Sequence, residues 1–142
     1  MSVSSKDRTA IAELGAAYAV LLDQGRFAEV ASLFVEDGVL HRADGTVLIG
    51  RANILGAQSK REPSLRTVHH VSLPLIDLLG PNEAKAVSNF IAVTVRADSA
   101  SLGPAMGYFE DRYRRVAQTW RLSERRIHLV YRPQPATVEA SR

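Results

Sequence analysis

The change of character at Pro63 constrains this chain more than any other feature. Beyond it the sequence runs in long stretches rich in valine, isoleucine and aromatic residues, cut by Gly80-Pro81-Asn82, by Asp98 to Pro104 and by Ala117-Gln118-Thr119. Stretches of that composition between clusters of turn residues read as strands. Four are predicted: about Thr67 to Leu79, Ala84 to Val95, Ala105 to Val116 and Trp120 to Tyr131. Connections this short leave no room for a crossover helix, so neighbouring strands should run antiparallel.

Before Pro63 the apolar period is helical. Ile11, Leu14, Tyr18, Leu21 and Leu22 recur at spacings of three, four and seven and predict a helix from Asp7 to Asp23, with Asp7 as its cap and Gly25 near its end. Phe27, Val30, Ala31 and Phe34 mark a second, short helix, and Asp37-Gly38 a turn. Val39-Leu40 and Thr46 to Ile49 are short strands around Asp44-Gly45, and Gly50 opens a third helical segment to about Lys60. Helices first and an antiparallel sheet afterwards is the α+β pattern, in which the helices cover the concave face of one curved sheet. Residues 1–132 are expected to form this domain, with 133–142, which carry Pro133 and Pro135, as a loosely held tail.

The 142 residues, 46% apolar and 23% charged, are enough for one hydrophobic core and fit neither a disordered nor a fibrous chain. The absence of cysteine excludes disulfides and thiolate chemistry. No secretory signal and no run of about 18 apolar residues is present, so the expectation is a soluble, cytoplasmic protein without membrane contact. The net charge is +3, and the basic excess falls late, at Arg112, Arg114, Arg115, Arg121, Arg125, Arg126 and Arg132. No aromatic platform interleaves with these arginines, so they read as solvated strand faces or a subunit interface rather than a nucleic-acid footprint. The convex face, which no helix covers, predicts a homodimer or a related small oligomer.

The stretch Leu65-Arg66-Thr67-Val68-His69-His70-Val71-Ser72 carries the most chemistry. On a strand His69 shares a face with Val71, Leu73 and Leu75, whereas His70 shares one with Ser72 and Pro74. A histidine on the more apolar face needs a partner, and Asp23, at the end of the first helix, is the remote candidate. A carboxylate on one ring nitrogen would fix the tautomer and leave the other free to move a proton. From the residues alone, a core histidine satisfied by backbone groups is an equally open reading. His41 and His128 form no metal-ligand pattern, and no Gly-rich phosphate loop or nucleophile elbow occurs, so neither cofactor nor metal is expected. Tyr18, Phe90, Tyr108 and Trp120 are expected as core or pocket-wall residues, and one of Ser88 and Asn89 as a candidate ligand contact, depending on register.

The succession Tyr18, Leu22-Asp23, Gly25-Arg26-Phe27, Leu33-Phe34, Asp37-Gly38, Gly50, Leu65-Arg66-Thr67-Val68-His69, Tyr108, Trp120-Arg121-Leu122 and Arg126 resembles SnoaL-like domains along nearly the whole chain. These belong, with scytalone dehydratase, to the nuclear transport factor 2 superfamily, and the resemblance implies its α+β cone, a cone-shaped curved antiparallel sheet with the N-terminal helices packed on its concave face. In enzymes of that group an aspartate on the first helix and a histidine in a Leu-Arg-Thr-X-His motif form the catalytic pair, and the resemblance places Asp23 and His69 in those roles. The chain departs from scytalone dehydratase at the second catalytic histidine, where Thr94 or a neighbour stands, and at the tyrosine before the aspartate, where it has Leu22. Leu73 stands where many members have asparagine, which implies a more apolar pocket.

The resemblance implies a cofactor-independent lyase or isomerase, dehydratase- or cyclase-like, that removes a proton beside the carbonyl of a small hydrophobic, cyclic substrate. His69 would be the base and Asp23 its partner, with Tyr18, Leu73, Phe90 and Tyr108 against the substrate. The alternative is a non-catalytic ligand-binding or assembly module of the same fold, like the small subunits of ring-hydroxylating dioxygenases.

Overall fold

The computed structural model describes residues 2–97 and 101–132. Helices α1 (Ser5–Asp23) and α2 (Phe27–Ser32) come first, followed by strands β1 (Phe34–His41) and β2 (Val47–Ile49) and helix α3 (Arg51–Gln58). Strands β3 (Leu65–Val71), β4 (Leu75–Gly80), β5 (Glu83–Arg96), β6 (Ser101–Val116) and β7 (Thr119–Tyr131) complete the chain. All seven strands join one curved sheet in the order β2-β1-β7-β6-β5-β3, with β4 following β3 along the same edge of β5. The expected α+β cone is thus present. Its predicted tail, 133–142, lies outside the described residues, as does the Asp98 end of the expected turn.

Helix α1 is stopped at both ends by side-chain and backbone chemistry. Ser4, not Asp7, is its N-cap: the Ser4 hydroxyl oxygen accepts the Asp7 amide at 3.1 Å, and the hydroxyl proton goes to the Asp7 carboxylate at 2.8 Å. The serine oxygen satisfies one orphan amide of the first turn while the Asp7 carboxylate orients the hydroxyl, which is why the cap falls at Ser4. At the other end the Gly25 amide bonds the Leu22 carbonyl and the Arg26 amide the Leu21 carbonyl, with Gly25 at φ 71°. This paired closure needs a left-handed residue that glycine supplies without strain, and it makes Asp23 the last residue of the helix.

The sheet is mixed rather than wholly antiparallel, because β1 runs parallel to β7. The short-connection rule never governed that pair, since most of the fold lies between them in sequence. Asp37-Gly38, expected as a turn, is a bulge inside β1: four residues separate Phe34 from Val39 where β7 has one between their partners Leu122 and Glu124. The stretch expected as one strand from Thr67 to Leu79 is two. Pro74 has no amide to give the ladder, and the chain steps out at Ser72-Leu73-Pro74.

Inward side chains follow strand alternation. On β5 these are Ala84, Ala86, Ser88, Phe90 and Ala92, all buried, while Asn89 and its neighbours face out. Helix α1 buries Ile11, Tyr18 and Ala19, and Ile11 and Tyr18 share one core with Ala84 and Ala86. The main core gathers α1, Val30, Phe34, Leu40, Ile54 and Leu122, and a smaller cluster of Phe90, Ala92 and Phe109 lies beside it.

Candidate active site

Two elements bring the candidate dyad together. Asp23 ends α1, where the helix dipole disfavours a carboxylate, so it needs donors to stay charged. It has three. The His69 backbone amide donates to Oδ2 at 2.8 Å, the Thr67 hydroxyl donates to Oδ1 at 2.9 Å, and His69 Nδ1 lies 2.6 Å from Oδ1. Because β3 ends the sheet, half its amides point away from β5, which leaves His69's available for the helix. An ionised carboxylate only accepts, so Nδ1 must carry the proton. The opposite nitrogen, Nε2, then holds a lone pair, and no described residue bonds it.

His69 borders two adjoining chambers inside the cone, of about 370 and 660 Å³. Both are bounded by Tyr18, Leu22, Arg42, Thr67, His69 and Ile127. The smaller one continues past Phe90, Phe109 and Thr94, the larger past Leu40, Leu48 and Leu65. Phe90 and Phe109 stack with centroids 4.5 Å apart, and the His69 ring lies 6.5 Å from Phe90. These volumes suit a ligand of one or two rings in mostly apolar surroundings. Among the described residues no three His, Cys, Asp or Glu side chains cluster as a metal site.

Beneath the chamber wall lies a buried pair, Asp111 and Arg125: an extra residue of β7 between Leu122 and Glu124 shifts the inward positions from Trp120 and Leu122 to Arg125, which the sequence reading took for a solvated or subunit-interface arginine. Arg125 is fully buried and forks onto Asp111, Nε to Oδ1 and Nη2 to Oδ2, each at 2.8 Å. Tyr113 donates to the same carboxylate at 2.9 Å. The Arg125 guanidinium lies between the rings of Tyr18 and Phe109, 4.3 and 4.0 Å from their centroids. Burial opposes its charge, but the Asp111 carboxylate outweighs that and holds Arg125 above the ordinary arginine value. Burial also pushes the Tyr18 phenol up despite Arg125 nearby, so Tyr18 stays a neutral hydroxyl at the chamber wall. The expectation of solvated arginines therefore fails at Arg125. An inward carboxylate between Phe109 and Tyr113 was the available signal, because a buried Asp demands a cation.

A model of the SnoaL-like domain matches residues 3–126. The chain belongs to the SnoaL-like family. No curated protein matches it significantly. Among solved structures this SnoaL-like chain is similar to a protein assigned as a scytalone dehydratase from Novosphingobium aromaticivorans (23% identity, 96% of each chain covered, TM-score 0.80). It is also similar to a hexachlorocyclohexane dehydrochlorinase, LinA type 2 (14% identity, 96% of this chain and 94% of that one, TM-score 0.83). A third is ActVI-ORFA from Streptomyces coelicolor (20% identity, 86% and 96%, TM-score 0.75). At these identities the likeness is one of fold.

In the SnoaL-like cone described here, Tyr18 and Phe90 line the chambers, but Leu73 and Tyr108 do not. Leu73 is 83% exposed. The step at Ser72-Leu73-Pro74 switches the inward parity from odd (Thr67, His69, Val71) to even (Ile76, Leu78), so Leu73 loses the face it was assigned. Tyr108 sits between inward Gly107 and Phe109 and therefore faces out, stacked on His128 at 4.5 Å. His70 is exposed on the opposite face of β3 from His69. Ser88 is buried inward and Asn89 exposed outward. His41 and His128 pair on the outer face with Glu124 and Glu110, at 3.2 and 3.1 Å. Sequence reasoning missed Arg61, which bonds Thr67; its position in a turn gave no periodic signal.

Proposed function

We propose that this protein is a cofactor-independent lyase or isomerase in which His69 removes a proton from carbon beside the carbonyl of a small, cyclic, largely apolar substrate. The observation that carries the reading is the 2.6 Å contact of Nδ1 with Asp23, which leaves Nε2 as the ring's unengaged nitrogen at a chamber. A neutral imidazole with one nitrogen held by a carboxylate is a general base whose charge, once formed, is stabilised where it stands. The base then returns its proton to a departing hydroxyl or to another carbon. Tyr18 and the stacked Phe90 and Phe109 provide the flat apolar surfaces a ring would pack against. The fold likeness to the protein assigned as a scytalone dehydratase and to the dehydrochlorinase favours the same class of step.

The test is a screen of small cyclic ketones and hydroxyketones, following proton exchange into solvent, with wild type, His69→Ala and His70→Ala. Exchange is expected with wild type and with His70→Ala and is expected to vanish with His69→Ala. Equal exchange in all three would sink the dyad and favour a ligand-binding module of the same fold.

Assembly as a homodimer through the outer sheet face is part of the proposal. Val68, Ile91, Val93 and Val130 stand exposed there, and a closed symmetric pair is the usual cover for such a face. Light scattering at tens of micromolar should report a dimer, and Ile91→Lys should give a monomer.

A further inference from the structure

Arg61 lies in the turn between α3 and β3 and lines the larger chamber, outside the dyad and outside every motif that led to it. Its guanidinium makes two bonds. Nη1 donates to the Leu22 carbonyl at 3.2 Å, and Nη2 donates to the Thr67 hydroxyl oxygen at 2.9 Å. Leu22 is the residue before Asp23, and Thr67 is the residue whose hydroxyl donates to Asp23. One side chain thus grips the backbone that carries the carboxylate and the hydroxyl that binds it.

The direction of these bonds matters more than their number. Arginine has only donors, and a hydroxyl has one proton. With Arg61 donating to the Thr67 oxygen, the Thr67 proton is aimed at Asp23 and cannot turn outward without losing that arrangement. Asp23 Oδ1 is therefore held as an acceptor of two donors, Thr67 and His69 Nδ1. The chain of polarity runs one way, from Arg61 through Thr67 to Asp23 and on to the His69 tautomer. Burial lowers Arg61's proton affinity somewhat, while the Asp23 carboxylate pulls the other way, so the group remains a cation and a donor.

We infer that Arg61 and Thr67 are positioning residues that hold the Asp23 carboxylate against the His69 ring and thereby keep His69 in the tautomer with Nε2 unprotonated. Their kinetic role rests on the reading of His69 as the base, but the tautomer itself can be observed without any substrate. Arg61→Glu is the sharpest probe, because glutamate accepts and would draw the Thr67 proton away from Asp23. Thr67→Val removes the hydroxyl, and Thr67→Ser restores it. Arg66→Ala is the control, since Arg66 bonds only the carbonyls of Pro63 and Leu65 in the same turn.

The experiment is nitrogen NMR of the histidine rings in alkaline buffer, with the four histidines assigned through a His69→Ala sample. Wild type, Thr67→Ser and Arg66→Ala should show His69 with a protonated Nδ1 and an unprotonated Nε2. Arg61→Glu and Thr67→Val should show a mixture shifted toward the opposite tautomer, with thermal unfolding still cooperative. Should Arg61→Glu fail to fold, Arg61→Ala and Thr67→Val carry the same readout. With an assayable substrate, those variants should lose on the order of tenfold in kcat with little change in KM. An unchanged His69 spectrum in both Arg61→Ala and Thr67→Val, or an equal change in Arg66→Ala, would overturn the inference. If His69→Ala keeps full turnover while the tautomer still responds to Arg61, the proposed reaction falls and the positioning chain stands.

Discussion

Two acid–base pairs lie on the inner side of this sheet, and they differ in what is left over. Asp23 and His69 are each 16% exposed, His69 borders both chambers, and one of its ring nitrogens has no partner among the described residues. Asp111 and Arg125 are 1% and 0% exposed, forked together, joined by Tyr113 and enclosed by two aromatic rings. Both pairs satisfy a buried carboxylate. His69 of the first pair lines the chambers inside the cone, and neither Asp111, Arg125 nor Tyr113 does. The second lies under Tyr18 and Phe109, so its rigidity reaches the chamber as the placement of that wall. What the second pair leaves over is Arg125 Nη1, a buried donor without a hydrogen-bond partner among the described residues, whereas the first leaves an imidazole nitrogen beside a chamber.

The comparison is sharpest where the two pairs are broken separately. His69→Ala should lower turnover by about 10²- to 10⁴-fold, the usual value of a general base, and leave the thermal midpoint close to wild type. Asp111→Ala should do the reverse in kind: urea unfolding should show a loss of about 3–5 kcal/mol, because a buried guanidinium is left uncompensated. Replacing the set together, Arg125→Met with Asp111→Leu and Tyr113→Phe, should recover most of that loss. An Asp111→Ala protein as stable as wild type would show that the pair contributes nothing to the wall, and the contrast drawn above would collapse.

A smaller effect tests how tightly the chamber floor is built. Gly107 lies beside Phe109 at a register shift between β6 and β7, and a Cβ there would collide with the carbonyl oxygen of His128. Gly107→Ala should therefore cost about 1–3 kcal/mol by forcing the strands apart. Gly15, in the middle of α1, has no neighbour in the way. Gly15→Ala should instead stabilise by up to about 1 kcal/mol, the helix-propensity difference. Equal effects of the two alanines on the urea midpoint would mean that the floor yields more easily than its geometry implies.

How much of this was legible beforehand follows from the range of each interaction. Periodicity is local, so α1, the long strands β5 to β7 and the inward face of His69 could be read from residue spacing. Asp23 meeting His69 is a contact across 46 positions: the residues offered Asp23 as a candidate, and only the family resemblance connected the two. Parity fails wherever a strand is interrupted, which is why Leu73 was misplaced by one irregular step at Pro74. Tyr108 was misplaced for a different reason: strand alternation beside Phe109 turns it outward, and neither its aromatic character nor the resemblance took account of that face. Arg125 was lost in a run of arginines, because nothing local distinguishes the one that turns inward. The parallel pairing of β1 with β7 joins distant segments and leaves no mark in either.

A third carboxylate extends the comparison to the rim. Asp7, at the start of the same helix that ends in Asp23, accepts the Trp120 indole N–H at 2.8 Å and the Ser4 hydroxyl, with Arg115 at 3.0 Å. The Trp120 and Ser4 bonds, helped by Arg115 and opposed by slight burial, hold its carboxyl below the usual aspartate value. A carboxyl whose folded value is depressed adds stability above its unfolded value of about 3.9 and loses it as pH falls through the folded one. Asp7→Asn keeps an acceptor for Trp120 but carries no titrating charge. The stability difference between wild type and Asp7→Asn should therefore be constant through neutral pH and shrink below about pH 4. The share due to Arg115 should also weaken as salt is added, because that contact lies near solvent. Urea midpoints measured from neutral pH down to acid for both proteins decide it. A difference that does not change with pH would mean that the Asp7 charge contributes nothing, and that the indole bond to a neutral acceptor is all that holds the start of α1 to β7.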